Sequence, residues 1–471
     1  MFKRILIANR GEIACRIERT CRRLGIETVA VYSDADAKAP HVTHATRAVR
    51  IGPPPVKESY LDAEAIVKAA KDEGADAIHP GYGLMSERAS FAEAVTAAGI
   101  TFIGPPTNCL EAFGDKIQAR NVARAQNVMP PPGTDGPLAT DDMEAIAKEA
   151  ERIGFPLLVK AAGGGGGIGM QIVESADKLA RAVQTCSDRG KSAFGDARVY
   201  MERYIQNPKH IEVQILCDRH GGVVALGERE CSLQRRHQKV IEESPSPAPF
   251  FQGEAGEARR RELFDAAKRI VKSVGYVGAG TVEFVASQSG ELFFLEVNAR
   301  LQVEHCVTEM VTGIDLVEQQ IRVAAGERLL EEVLHPKRRG HSIEARLYAE
   351  NPLKAFAPQP GKIEKLVWAS APPEQLRIET GVVEGSEVTP FYDPMIAKVV
   401  AWGEDRSAAI ARLDGALAGT ELELVGPAGK AATNLAFLRH LLTLPEVTNG
   451  TYDTSLAERA AKALKAAEKG A

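Results

Sequence analysis

From Leu295 to Glu304 the chain alternates without a break. Leu295, Val297, Ala299, Leu301 and Val303 fall on one side of an extended backbone, and Glu296, Asn298, Arg300, Gln302 and Glu304 on the other. The period of two predicts a half-buried strand whose polar face lines up two carboxylates, two amides and a guanidinium. A solvated strand face normally carries Lys, Thr, Ser and single charges in no special order. Upstream, residues 281–286 and 291–297 read as strands joined through Ser287, Gln288, Ser289 and Gly290, a hairpin that lets Glu283 and Glu296 face each other. Two adjacent carboxylates repel unless a cation sits between them. Hard oxygen ligands with an amide suit Mg²⁺ or Mn²⁺, with a nucleotide phosphate completing the coordination.

The same patterning organises the rest of the chain. Residues 1 to about 115 alternate short apolar runs (4–8, 28–32, 77–79) with helical periods such as 62–72, a βαβ series that predicts a parallel sheet. Pro130, Pro131, Pro132 and Gly133 then predict a stiff hinge into a small unit ending near Tyr204. Within it, Lys160 and the glycines from Gly163 to Gly169 lie between apolar runs 155–159 and 170–173. This reads as strand, glycine loop, strand, with backbone N–H groups able to close over phosphates as a lid; a flexible linker is the alternative. Strands and helices mix from about 205 to 450, and 456–469 predicts a helical, fraying tail. There is no internal repeat.

Two other glycine patterns fail. Gly190, Lys191 and Ser192 end like a phosphate-binding loop, but Thr185 stands where its first glycine belongs. Gly81 and Gly83 are followed by Ser86 where a dinucleotide fingerprint needs glycine. Residues 201–205, a strand leading out of the lid, could present Glu202 and backbone groups to an adenine or ribose. His210, Glu212 and Gln214 alternate with Ile211, Val213 and Ile215, which in isolation reads as a solvated strand face. Arg235, His237 and Lys239 share a side if extended, a place for a polyphosphate or small oxyanion, or else a solvated basic run. A strand around His341 and Glu344 offers Arg346 as a further anion-binding arginine, or as a surface ion pair.

Composition narrows the classes. At 471 residues two or three domains are expected, and a formal net charge of -5 gives no global basic field for nucleic acid. The seven cysteines form no Cys-x-x-Cys pair, as expected of free thiols in a reducing compartment and not of a zinc site. The N-terminal apolar run is too short for a signal peptide, and no segment has the ~18 apolar residues of a membrane span, so a cytoplasmic, membrane-free location is expected.

With these motifs in place, the chain resembles the biotin carboxylases of the ATP-grasp superfamily, the first-step components of acetyl-CoA, propionyl-CoA and pyruvate carboxylases. The resemblance rests on residues 8–14, 79–83 and 114–116, the glycine loop, 234–239, 296–304 and 392–395, and covers nearly the whole chain. It implies an α/β ATP-grasp fold: an N-terminal parallel-sheet domain (1–115), an ATP-grasp region (116–330) with its lid at about 131–204, a mixed C-terminal domain (331–450) and a helical tail (451–471).

By position the resemblance implies that Lys116, Lys160, Gly165, Gly166, Glu202, the Ile205 backbone, His210, Gln234 and His237 hold ATP. Glu283, Glu296 and Asn298 would bind Mg²⁺ or Mn²⁺, and Lys239, Arg300, Gln302 and the Val303 backbone would hold bicarbonate. Glu304 would be the general base and Arg346 would stabilise the biotin enolate. Departures from the family pattern are Ile168 and Gln171 in the lid, Arg203, Ala299, Cys306 and Glu379. No Met is followed by Lys, so the attachment signature of biotin carriers is absent. Biotin is therefore expected on a separate carrier protein, with a carboxyltransferase as second partner and a homodimer as the resting assembly. The alternatives are another ATP-grasp ligase making an acyl phosphate, and a nucleotide-binding regulatory subunit without turnover.

Overall fold

The computed structural model describes residues 1–163 and 169–470. Gly165, Gly166 and Ile168 of the expected lid loop lie outside the described residues.

The first apolar runs form β1 (Arg4–Ile7), β2 (Glu27–Ser33), β3 (Arg47–Gly52), β4 (Ala77–His79) and β5 (Thr101–Phe102), all parallel, in the order β3-β2-β1-β4-β5. Strand order reverses between β1 and β4, where the carboxyl ends of a doubly wound sheet leave a crevice. Two segments of the family motif meet there: the Asn9 amide donates to the carbonyls of Pro80 (2.7 Å) and Tyr82 (2.8 Å). Gly81, at φ +64°, is needed on that account, since a Cβ would stand 2.9 Å from the Asn9 amide.

The proline break leads into a three-stranded antiparallel sheet of β6 (Leu157–Ala161), β7 (Met170–Val173) and β8 (Val199–Arg203), ordered β7-β6-β8. Helices Met143–Ile153 and Leu179–Phe194 cover it, with a core of its own that includes Ile146, Leu157, Val159, Val183 and Met201. Gly190 and Lys191 sit inside the second helix, which disposes of the phosphate-loop pattern there.

The platform beneath this unit is antiparallel: β9 (Lys209–Cys217), β10 (Val223–Arg235), β11 (Gln238–Ser244), β12 (Gly278–Ala286), β13 (Leu292–Asn298) and β14 (His341–Tyr348). The C-terminal region adds β15 (Glu350–Asn351), β16 (Ala357–Pro358), β17 (Gly361–Val367), β18 (Leu376–Thr380), β19 (Glu387–Val388), β20 (Met395–Gly403), β21 (Glu421–Gly426) and β22 (Gly429–Lys430). β18 and β20 extend the platform to eight strands, ordered β13-β12-β9-β10-β11-β14-β20-β18, so one sheet runs from the metal-type hairpin to the C-terminal region. One hydrophobic core packs the N-terminal elements against β9, β12 and β13; a second packs helices Arg406–Ala418 and Leu435–Thr443 against β14 and β20.

Four expectations need correction. β13 stops at Asn298, because the next backbone N–H (Ala299) leaves the ladder for Glu87 (3.0 Å); residues 299–303 are irregular and Glu304 caps the helix His305–Thr312. The run Arg235 to Lys239 is not extended: Arg236 and His237, at φ 48° and 64°, make the two-residue turn between β10 and β11. Arg235 then pairs with Glu350 against Tyr348, away from His237 and Lys239. The His210, Glu212 and Gln214 face is not solvated, since Glu212 and Gln214 are wholly buried. Finally, the helix Leu456–Gly470 does not fray at its start: Leu456, Ala457, Ala460 and Ala461 are buried in the second core, and Glu458 accepts the Arg236 backbone N–H (2.9 Å).

Candidate active site

A cavity of about 1150 Å³ opens between the N-terminal sheet, the three-stranded unit and the platform. Every described residue that the family resemblance assigns to the site lines it, whereas Arg235, offered from sequence alone, does not. At one end are Lys116, Lys160, Glu202, Ile205, His210, Gln234 and His237; at the centre Glu283, Glu296, Asn298 and Lys239; beyond them Arg300, Gln302, Val303, Glu304 and Arg346.

Local structure places these groups. Glu202 points inward from β8 and accepts Lys160 from the neighbouring β6 (2.8 Å) and Arg120 from helix Lys116–Ala125. Burial pushes the Glu202 carboxyl up, but the two cations outweigh it and hold it below its ordinary value. β9, β12 and β13 are paired in register through Glu212, Glu283 and Glu296, so three carboxylates cross the sheet in one row. A bulge between Glu283 and Phe284 makes Leu295 the extra residue on β13, and both Leu295 and Glu296 reach the cavity.

The row is held by cations and amides. Glu283 accepts Lys239 (3.2 Å), the Asn298 amide (2.8 Å) and the Gln302 amide (2.6 Å), and the His210 Nε2 lies 2.8 Å from its other oxygen, misaligned for a hydrogen bond. Burial raises its pKa, yet Lys239 and His210 leave it well below the ordinary carboxylate range. Glu296 lies 3.5 Å from Lys116. Lys239 is the hub: its ammonium contacts Glu212, Glu283 and Glu304. Burial alone would lower its pKa, and the three carboxylates instead hold it well above the ordinary lysine range.

Glu304, 2% exposed, makes no capping bond to its own helix, which leaves both oxygens for Lys239 and for Arg346 (2.8 Å). Burial again raises its pKa and Lys239, Arg346 and Arg229 overcome it, so the group is an anion throughout the neutral range. Arg300 reaches Asn298 Oδ1 (2.9 Å) and Glu87 (2.7 Å), and the Val303 carbonyl accepts Lys398 (2.7 Å). Arg346 is buried, which removes the surface ion pair as an account of it.

Some residues that build the site, in its wall or behind it, had no signal in the chain. Glu87 approaches Arg300 across 213 residues of sequence, and Arg229, wholly buried, ties Glu212, Gln214, Thr308 and Gln302 into one network. Glu212 stood in a recognised strand but was assigned to solvent. Of the departures, Gln171 lines the cavity from β7, Arg203 donates to the Ile153 carbonyl (3.3 Å), Ala299 is buried, Cys306 lies 3.3 Å from Lys398, and Glu379 pairs with Arg19 (2.5 Å) and with Arg377.

Oxygen donors of two carboxylates and an amide, beside cations suited to phosphates, form a surface that can bind a polyphosphate with a hard divalent cation and hold a small oxyanion against Glu304. Known proteins combine the same parts. Residues 1–110 match the sequence model of the biotin carboxylase N-terminal domain, 115–332 that of the carbamoyl-phosphate synthase L chain ATP-binding domain, and 344–459 that of the biotin carboxylase C-terminal domain. A biotin carboxylase of Halalkalibacterium halodurans is 47% identical over 97% of both chains. The propionyl-CoA carboxylase alpha chain of Ruegeria pomeroyi is 45% identical over 97% of this chain and 67% of its own length, and the chain spans only 60–62% of methylcrotonoyl-CoA carboxylase alpha subunits from Dictyostelium discoideum and rice. The biotin carboxylase domain dimer of Hydrogenobacter thermophilus 2-oxoglutarate carboxylase, solved with MgADP, ADP and bicarbonate, superposes with a TM-score of 0.91 at 41% identity over 98% of each chain. The chain therefore belongs to the biotin carboxylase family, ATP-grasp ligases that form a carbon–nitrogen bond.

Proposed function

We propose that the chain carries out the first half-reaction of an acyl-CoA or 2-oxo acid carboxylase: ATP- and bicarbonate-dependent carboxylation of biotin presented by a separate carrier protein. The observation that carries this is the continuity of the polar row. Glu283, Glu296 and Asn298, Lys239, and Glu304 with Arg346 form one connected surface from the nucleotide end to the far end of the cavity.

In this scheme Lys116, Lys160, His210, Gln234 and His237 hold the triphosphate and nucleoside, with Glu202 keeping Lys160 oriented. Gly165 and Gly166 are assigned to the phosphates by resemblance. Glu283, Glu296 and Asn298 fit a divalent metal by their chemistry, since all offer hard oxygens and the two carboxylates are cross-strand neighbours. Bound there, Mg²⁺ or Mn²⁺ would offset charge on the phosphates during transfer.

Bicarbonate is held by Lys239, Arg300, Gln302 and the Val303 backbone. Glu304 takes its proton, and the oxygen so freed attacks the γ-phosphorus as the bond to ADP breaks, giving carboxyphosphate. A depressed pKa makes Glu304 a weak base in the resting site. Lys239 is shared with it, however, so an anion that draws Lys239 away raises the basicity of Glu304 when a proton must be removed. Carboxyphosphate yields CO₂ and phosphate; phosphate accepts the N1 proton of biotin, and N1 forms the new bond to CO₂ while Arg346 faces the developing charge. Closure over the cavity would keep water from the intermediate.

A carboxyltransferase partner would complete the reaction, and the dimer named for the Hydrogenobacter relative supports a homodimer here. All seven cysteines are unpaired, and among the described residues no helix is long and apolar enough to cross a membrane, which supports a cytoplasmic enzyme.

The test is phosphate release from Mg-ATP by the purified chain, with and without bicarbonate, then with free biotin. Release that requires bicarbonate and rises with biotin is expected. Tight ATP binding without such release would favour the regulatory or other-ligase alternatives.

A further inference from the structure

Behind the cavity a second pair of carboxylates meets across the platform. Glu242 on β11 and Glu344 on β14 are directly opposed in register and both wholly buried. Opposed residues of antiparallel strands share a face, with Cβ atoms about 5 Å apart. Neither oxygen of Glu344 has a hydrogen-bond partner among the described residues, nor has either oxygen of Glu242. Glu242 has one cationic contact, 2.5 Å to Arg346 Nη2, but misaligned for a hydrogen bond; the same Nη2 donates to Glu304 at 2.8 Å.

The surroundings do not supply charge for both. Glu242 is faced by Arg346 across β14, by Lys239 on its own strand, by Cys231 on β10 and by Glu304 at the start of helix His305–Thr312. Besides Glu242, Glu344 is faced by Lys398 on β20, by Cys306 on that helix, by Glu304 at its start and by Arg346 two residues along. Lys239 is spent on Glu212, Glu283 and Glu304. Lys398 is spent on the Val303 carbonyl (2.7 Å), Cys306 Sγ (3.3 Å) and Glu12 (3.1 Å).

We propose that Glu242 and Glu344 hold a proton between them and act as a positioning pair that sets how Arg346 is divided between Glu242 and Glu304. Arg346 is a fixed cation claimed from both sides. While the pair is protonated, Glu304 is its stronger partner and the guanidinium stays at the cavity. When the pair gives up its proton, Glu242 competes and draws Arg346 back. Burial and the nearby Glu304 charge raise Glu242, and burial takes Glu344 well above the ordinary carboxylate value, against the pull of Arg346 and Lys398, the direction that a retained proton requires. The protonation claim stands on geometry alone; its effect on turnover rests on the function proposed above.

Infrared spectroscopy on the whole chain tests the first part without substrate. A carbonyl band of a protonated, buried carboxyl should be present at neutral pH in the unmodified protein and lose intensity in Glu344→Gln, any contribution from the raised, buried Glu230 being equal in both. The second part is read from the pH profile of bicarbonate-dependent phosphate release. Glu242→Gln should remove one ionisation from the profile, and Glu344→Gln, whose amide can donate to Glu242, should move it down by about one pH unit. The KM for Mg-ATP should stay within about twofold in both, a separation that a general loss of structure would not give. Absence of the band in the unmodified protein would overturn the shared proton even if neither variant folds. A band present with superimposable pH profiles would overturn the positioning role, and a band without turnover in any form would overturn the proposed function and the positioning role, leaving only the shared proton.

Discussion

Glu283 with Glu296 and Glu242 with Glu344 stand in the same local relation: each is a pair of carboxylates opposed across neighbouring antiparallel strands of one sheet. Their surroundings differ. The first pair opens on the cavity beside Lys239, His210 and Lys116, and Glu283 is held well below the ordinary range. The second lies behind it with only a shared Arg346 and a committed Lys398, and both of its members are raised. Register brings carboxylates together; the cations that face them decide whether they become an anionic ligand set or a proton store. Glu230 and Glu243, opposed on β10 and β11, divide within one pair. Arg406 and His341 take Glu243 down to about 2, whereas burial leaves Glu230 raised despite Lys209 at 3.8 Å and two serines.

The largest effect should come from removing the hub. Lys239→Gln would leave Glu212 and Glu304 short of a buried cation, an error of the kind that costs about 3–5 kcal/mol, and would abolish bicarbonate-dependent turnover. The sign with pH follows. Without Lys239 the folded pKa of Glu304 rises, so the stability that its ionised form contributes is lost and the variant should fall furthest behind the parent above the ordinary carboxylate range. Denaturant unfolding at two pH values measures this; equal losses at both would mean that the hub is not electrostatic.

Glu304→Gln keeps the hub and removes only the base. Turnover should drop by about 10²–10⁴-fold while ATP affinity, measured by calorimetry with Mg²⁺ present, is retained. A matching loss of ATP binding would assign Glu304 to the nucleotide instead.

Glu243 tests the cation rule away from the cavity. Its folded pKa of about 2 lies below an unfolded value near 4.5, so it contributes stability above about 4.5 that is lost as the pH falls towards 2, about 3 kcal/mol in all. Glu243→Gln should remove that slope from the acid-unfolding curve, and an unchanged slope would show that Arg406 and His341 do not control it.

How much of this was legible in the chain follows from which contacts are local. The hairpin that opposes Glu283 and Glu296 was readable because period-two alternation and a Ser-Gly loop specify a register over about sixteen residues. The strand was overextended past Asn298 because alternation continues there, whereas the bond that ends the ladder comes from Glu87, more than two hundred residues away. The turn at Arg236 and His237 was missed because neither residue favours positive φ, a cost of order 1 kcal/mol each that only the surrounding sheet can impose. Glu212 and Gln214 were assigned to solvent because a polar strand face looks the same whether water or Arg229 satisfies it. The family motifs identified the residues around the cavity; the sheet order that puts β14 beside β11, and with it the second carboxylate pair, had no local mark.

The smallest expected change sharpens the opening contrast most directly. If the Glu283 and Glu296 pair is an anionic ligand set, Glu296→Gln should keep the fold, since Glu296 is half-buried and touches a single lysine at 3.5 Å. It should instead weaken the metal. Losing one charged ligand is worth about 1.5–3 kcal/mol, so the free Mg²⁺ needed for half-maximal turnover should rise on the order of 10- to 100-fold. Replacing Mg²⁺ by Mn²⁺, which tolerates a mixed carboxylate and amide set, should recover part of the loss. An unchanged Mg²⁺ requirement would leave Glu296 as a partner of Lys116 alone. The two carboxylate pairs would then differ in exposure and cation supply but not in ligand chemistry.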